Sequence, residues 1–294
     1  IDEAHASRFG RLSIQAVDGR MQPVNSFAYQ IVRKVTGKES ISKVYSQLQL
    51  TPDQTLLGML VFPDAWQQVK MIRIKDKQIK KELGITENAK YASFADFFDY
   101  NSIEPYRLAH SVEIANNTKP ALRNRYDKEV IKIDEKVNIL YMAYSGSILR
   151  VFPYPNRDKE AKEPNLTWYS PIEAVSAFPA EDGAFVRNVL VKYFSDIASA
   201  TESGEWGEVD KSLVFIEQYQ RKVSDLSLDA DLISLEIFYN KHLIFDQLKT
   251  YYALVGIILF VLILIDILSG RDIAARYSKT AKYLILLGFV VHTM

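Results

Sequence analysis

The sequence predicts a mainly α protein: an α+β outer domain with a few short strands, followed by transmembrane helices. Three observations carry this. From Leu254 to Leu268, thirteen of fifteen residues are Leu, Ile, Val or Phe. A short polar stretch then carries Arg271, Arg276, Lys279 and Lys282 against a single acid, Asp272, before a second apolar run opens at Tyr283. The preceding 250 residues read as helical periods with capping signals, interrupted by only brief alternating runs.

The apolar run decides the architecture. As a helix, Tyr251 to Leu268 is about 27 Å long, close to the roughly 30 Å of hydrocarbon in a bilayer. Its thirteen large apolar side chains contribute roughly −4 to −8 kcal/mol to insertion, against a cost of about 3 kcal/mol for a mid-bilayer acid. Asp266 lies near the end of the run, where water reaches it, so insertion wins. Tyr251 and Tyr252 mark one interface as an aromatic belt, and the basic stretch marks the other as cytoplasmic. The expected order is residues 1–250 outside the bacterial inner membrane, a crossing over 251–269, an inner loop over 270–282, and a second membrane helix begun at 283–294 and too short to span within this sequence.

Within the outer part, "GRLSIQAVDGRMQP" alternates at Leu12, Ile14 and Ala16 and turns at Asp18-Gly19, which predicts a hairpin. Asn25 or Ser26 is expected to cap the helix "SFAYQIVRKVTG", ended by Gly37. Thr51-Pro52 opens a helix over "TPDQTLLGMLVF". "VKMIRI" reads as a strand, "KDKQIKKELGI" as a helix, and "YASFADFFDY" as an aromatic helix belonging to the core. A long helix is expected in "LRNRYDKEVIKIDEKVNILYMAYSGS". "ILRVFPYP" reads as a strand that its prolines stop. Residues 153–172, with Pro153, Pro155, Pro164 and Pro171, read as a loop dividing a 1–152 subdomain from a helical one at 173–250. Three helices follow, the last running into the membrane crossing.

Composition excludes several chemistries. No cysteine is present, which removes disulfides, thiolate metal sites and cysteine nucleophiles. The first 250 residues carry 32 basic and 34 acidic side chains, so there is no electrostatic footprint for nucleic acid. No phosphate loop, GxGxxG, HExxH or GxSxG occurs. "DLSLDADLISLE" lacks the glycine and oxygen spacing of a calcium loop, so Asp229 or Asp231 is read as a helix cap. His5 and His110 are single polar positions with no partner at metal-ligand spacing. His242 and Asp246 stand four apart, a spacing that orients an imidazole on a helix. His292 falls in the second apolar run, where an ionisable residue is expensive and often functional; it either ligates haem or hydrogen-bonds a neighbouring helix. Trp66, Trp168 and Trp206 define no motif.

The runs "HASRFGRLSIQAVDGRMQPVNSFAYQIVRKVTGKES", "LLGMLVFPDAW", "KYASFADFFDY", "LRNRYDKEVIKIDEKVNILYMAYSGSILRVFP" and "WYSPIEA" resemble, in that order, the extracytoplasmic region of bacterial System II cytochrome c synthases, the fused CcsB–CcsA (ResB–ResC) proteins. The resemblance implies a protein that exports haem and attaches it to the CxxCH thiols of apocytochrome c outside the membrane. It implies as partners apocytochrome c, haem, the remaining CcsA-like and CcsB-like membrane parts, and the lipid bilayer. The family handles haem with a tryptophan-rich segment, two external histidines and membrane histidines. This sequence has no such tryptophan-rich segment, and His292 matches only as a histidine in a membrane run. Two other readings stand beside this one: a membrane-tethered extracytoplasmic sensor or binding domain, and a membrane-anchored enzyme.

Overall fold

A computed structural model describes the chain apart from residues 17, 156–165, 225–228, 271–272 and 294. In chain order its elements are α1 (Glu3–Phe9), β1 (Ser13–Gln15), β2 (Met21–Pro23), α2 (Val24–Thr36), α3 (Pro52–Val61), α4 (Pro63–Gln67), β3 (Ile72–Arg73), α5 (Lys77–Glu82), β4 (Tyr91–Ala92), α6 (Ala109–Asn117), α7 (Arg125–Tyr144), β5 (Phe152–Pro155), β6 (Leu166–Tyr169), α8 (Pro171–Ala177), α9 (Ala180–Ser203), α10 (Gly207–Val223), α11 (Ala230–His242), α12 (Ile244–Ser269) and α13 (Ile273–Thr293). The mainly α expectation holds. The described strands form three two-stranded antiparallel pairs, β1–β2, β3–β4 and β5–β6. The chain divides into two compact units, Ile1–Ser234 and Leu235–Met294.

In the first unit, local chemistry sets most boundaries. The β1–β2 hairpin forms where alternation predicted it, pairing Ile14 with Gln22. Gly19 takes a left-handed φ of 86° in the turn, a conformation that costs glycine nothing. Helix α2 starts at Val24, earlier than expected, with no side-chain cap. Its first N–H groups are satisfied by backbone instead: Val24 N donates to Leu12 O and Asn25 N to Gly10 O, so the cap is redundant. Three helices begin with reciprocal capping boxes: Thr51/Gln54 for α3, Asn124/Asp127 for α7 and Ser170/Glu173 for α8. Asp229 accepts from Asp231 N at the start of α11, the capping role expected of it.

Two further expectations for the first unit give way. "YASFADFFDY" is strand β4 followed by a single 3-10 turn at Ala95–Phe97. Ser93 and Asp96 close that turn on each other, with Asp96 accepting from Ser93 N at 2.7 Å. Phe94 then lies tilted against Phe98 (4.8 Å) and edge-on against Tyr144 (5.2 Å). The aromatics belong to the core as expected, Phe94 and Phe97 both being buried, but in a turn rather than a helix. Residues 153–172, read as loop, supply β5 and β6 at their two ends, with Pro153 opposite Trp168 and Pro155 opposite Leu166. Proline is tolerated there because the pair is an isolated ribbon with no further strand requiring the missing N–H groups.

Helices α1, α2, α3 and α7 share a core of Phe9, Phe27, Ile31, Leu56, Leu57, Met59, Val130 and Leu140, all buried. Two glycines permit the contacts. A Cβ on Gly58 would lie 2.5 Å from the Trp66 indole nitrogen, and one on Gly10 would lie 2.8 Å from the Asp53 carboxyl. Asp53 is itself buried. Its Oδ2 accepts from Asn25 Nδ2 at 2.8 Å, while Oδ1 has no partner among the described residues. Helices α9 and α10 pair around Val186, Leu190, Tyr193, Ile197, Leu213 and Ile216. Gln220 of α10 fastens that pair to the amino-terminal part. Its buried amide donates to Ser13 O and Val151 O, both at 2.8 Å, and accepts from Ser13 N at 3.1 Å.

In the second unit, the expected crossing is the solvent-facing α12. Gln247–Ser269 is long and apolar enough to span a bilayer, and almost none of it is buried in the protein. Leu243 adopts a left-handed φ of 50° and separates α11 from α12, where the sequence suggested one continuous helix. Tyr251 donates to Leu284 O at 2.7 Å. A Cβ on Gly288 would sit 2.9–3.0 Å from the Tyr251 and Tyr252 rings, so α12 and α13 pack as an antiparallel hairpin through small residues. Residues 270–282, read as a loop, are mostly the first turns of α13. Ala, Lys, Arg and Tyr sustain a helix there despite their polarity.

Burial drives the Asp53 carboxyl up to about 6, against the lowering effect of the Asn25 bond. Because the folded value is raised, stability from this group is complete below the ordinary carboxylate value and is lost as pH rises through about 6. Asp53→Asn is therefore expected to raise unfolding stability by about 2 kcal/mol at pH 8 and by little at pH 4, measured by urea denaturation in detergent.

Candidate functional site

A concave surface of the first unit lies between β5, α9 and α10. Tyr154, Asp182, Phe185, Phe215, Tyr219 and Lys222 line a groove of about 630 Å³, within the size range of ligand pockets. Each wall is fixed from behind. Tyr219 Oη donates to Pro153 O at 3.1 Å and Tyr154 Oη to Asp182 Oδ2 at 2.9 Å, which ties β5 to both helices. Tyr154 stacks on Phe178 at 4.2 Å, and Phe185 lies 5.8 Å from Tyr219. Phe185 and Phe215 remain 42% and 53% exposed, large for aromatic side chains beside a packed core. Burial holds the Tyr219 phenol well above its usual range, so it stays a hydrogen-bond donor. One carboxylate and one ammonium, Asp182 and Lys222, flank the aromatic surface. Such a surface suits an extended polypeptide better than a small anion or a metal.

Sequence reasoning missed this groove because its residues come from three separated elements. A signal was present. The buried stripe of α9 is Gly183, Val186, Leu190, Tyr193, Ile197 and Ala200, and that of α10 includes Val209, Leu213 and Ile216. Phe185 and Phe215 lie beside those stripes, where a polar residue is the rule.

Behind the groove helices sits a buried cluster around His5. Its Nδ1 lies 2.7 Å from Asp210 Oδ1 and its Nε2 2.9 Å from Tyr193 Oη. Arg8 Nη1 meets the same Asp210 oxygen at 2.9 Å, and the Trp206 ring centroid is 5.3 Å away. A carboxylate only accepts, so Nδ1 carries the proton and Nε2 accepts from Tyr193. Burial lowers the His5 pKa despite the opposing pull of Asp210. The imidazole is thus neutral, with both nitrogens occupied, and it fastens α1 to α9 and α10.

The other histidines are not brought together. His110 is exposed on α6. His242, the last residue of α11, is exposed, with Nδ1 2.9 Å from Phe238 O and its ring 4.2 Å from that of Phe238. The proposed i, i+4 partner, the Asp246 side chain, lies outside the described residues. His292 is exposed one turn beyond Gly288 on α13. Among the described residues no group of three histidine or acidic side chains could hold a metal ion.

No protein-family model matches the chain. Over 288 residues, 97% of its length, the chain is 30% identical to Protein NrfI of Wolinella succinogenes, and it spans 30% of that protein's length. It is thus related along nearly its whole course to one segment of a longer protein.

The folded His5 pKa lies below the ordinary value, so its contribution is complete above about pH 6.5 and falls away as pH drops below that. His5→Gln is expected to cost about 2 kcal/mol at pH 7.5, through two altered buried hydrogen bonds. It should also flatten the stability loss between pH 6.5 and 5. An identical pH slope in both proteins would exclude His5 as its source.

Proposed function

We propose that the chain serves cytochrome c biogenesis as the extracytoplasmic domain and first membrane hairpin of a protein that delivers haem to apocytochrome c. Within that protein, the groove between α9, α10 and β5 docks an extended polypeptide. The observation that carries this reading is the end-to-end match with NrfI, which includes the apolar α12 as well as the outer unit. The ordered motifs that resemble System II synthases support the narrower assignment to the fused CcsB–CcsA type. A single strongly apolar helix preceded by tyrosines and followed by cations supports an inner-membrane location with residues 1–250 outside.

The groove suits a polypeptide better than haem itself: its described lining offers no imidazole, thiol or thioether, and its two phenols, Tyr154 and Tyr219, already donate to Asp182 and Pro153. Haem is therefore cargo of the whole protein in this reading, and the outer unit positions the acceptor chain. His292 is our candidate for contact with haem, with His242 behind it, each supplying one imidazole. A tethered sensor domain is less well supported, because α12 is followed within a few residues by another helix of 21 residues.

Phe185→Ser combined with Phe215→Ser in the full-length protein is expected to lower holocytochrome c yield at least tenfold at unchanged protein level. Normal yield would remove the groove from the docking role. His292→Ala should alter the reduced haem absorption spectrum of the purified full-length protein, and an unaltered spectrum would strike His292 from the ligand candidates.

A further inference from the structure

The first turns of α13 carry a cluster of cations. Arg276, Lys279 and Lys282 are exposed on the first three turns of α13, and no ion pair involves them among the described residues. No acidic residue occurs from Ile273 to Met294; the nearest in sequence are Asp266 and Asp272. At about 100° per residue, Arg276, Lys279 and Tyr283 fall on one stripe opposite buried Ala281, which packs inward. Lys282 stands on its flank. Tyr277 and Tyr283 are 49% and 72% exposed; they bracket Lys279 and Lys282, and Tyr277 follows Arg276, with the side chains that favour a membrane–water boundary.

The direction of the helix focuses these charges. Side chains lean toward a helix's N-terminus, and in α13 that end adjoins Gly270, where α12 stops. Lys282 lies about 14 Å along the axis from Ile273, and a lysine stem reaching back about 6 Å brings its ammonium toward the same boundary. A bilayer that receives α12 presents its headgroups at that level, and phosphodiester anions are the complementary chemistry.

We propose that Arg276, Lys279 and Lys282 form a binding site for the headgroup of an anionic phospholipid at the α12–α13 end of the hairpin. This rests on the reading of α12 as a membrane crossing. The test reconstitutes the full chain into bilayers of phosphatidylcholine with trace spin-labelled phosphatidylglycerol or spin-labelled phosphatidylcholine, and measures the fraction of each label immobilised by protein. At least a threefold preference for phosphatidylglycerol is expected, unaffected by millimolar inorganic phosphate. R276Q/K279Q/K282Q should abolish the preference, whereas R276K/K279R/K282R should keep it. Insertion without a preference, a preference that survives the neutral variant, or one that phosphate removes would overturn the lipid site alone. Failure to insert into either bilayer would overturn the crossing and the site together.

Discussion

Two buried polar side chains, His5 and Gln220, hold the outer unit in its shape. Each joins segments more than two hundred residues apart in sequence. Hydrophobic burial supplies most of the driving force but is non-directional, and the α9–α10 pair could cover the β1–β2 hairpin in several registers. A buried amide that must satisfy Ser13 N, Ser13 O and Val151 O at once accepts only one of them, because leaving those groups unpaired costs about 1–3 kcal/mol each. His5 imposes the same constraint at the other edge through Asp210 and Tyr193.

The groove inherits its geometry from that constraint. Val151, held by Gln220, leads directly into β5, and Tyr219, adjacent to Gln220, fixes Pro153. The aromatic walls therefore face each other because the buried polar bonds behind them fix strand and helices together. Phe185 and Phe215 can stay exposed since they are not needed to hold the fold. A surface built this way is rigid in advance, which would limit the conformational entropy lost in the docking proposed for it.

The second unit follows different physics. The outward faces of these helices stay exposed, so close packing through Ala281 and Gly288 and the Tyr251–Leu284 hydrogen bond define the hairpin. The cations of α13 are tolerated near this apolar pair only because their long side chains can reach the boundary at which α12 ends.

Much of the chain was legible as sequence. The apolar run at 254–268, the Asp18-Gly19 hairpin, the Gly37 stop, the Thr51-Pro52 helix start and the Asp229 cap are local chemistry, decided within a few residues and written in them. What failed locally was overruled by distant partners or by very short-range turns. Leu12 and Gly10 carbonyls replaced a cap at Asn25, and the Ser93–Asp96 turn displaced an aromatic helix. The functional surface was the least legible, although Phe185 and Phe215 stood out of phase with their helices. The sequence by itself determined that this protein has an α-rich part followed by a helix long and apolar enough to cross a membrane, because periodicity and hydropathy act through nearest neighbours. Only the tertiary structure decided that Tyr154, Phe185, Phe215 and Tyr219 share one groove and that His5 is a locked strut, because those facts depend on which elements buried hydrogen bonds bring together across the chain.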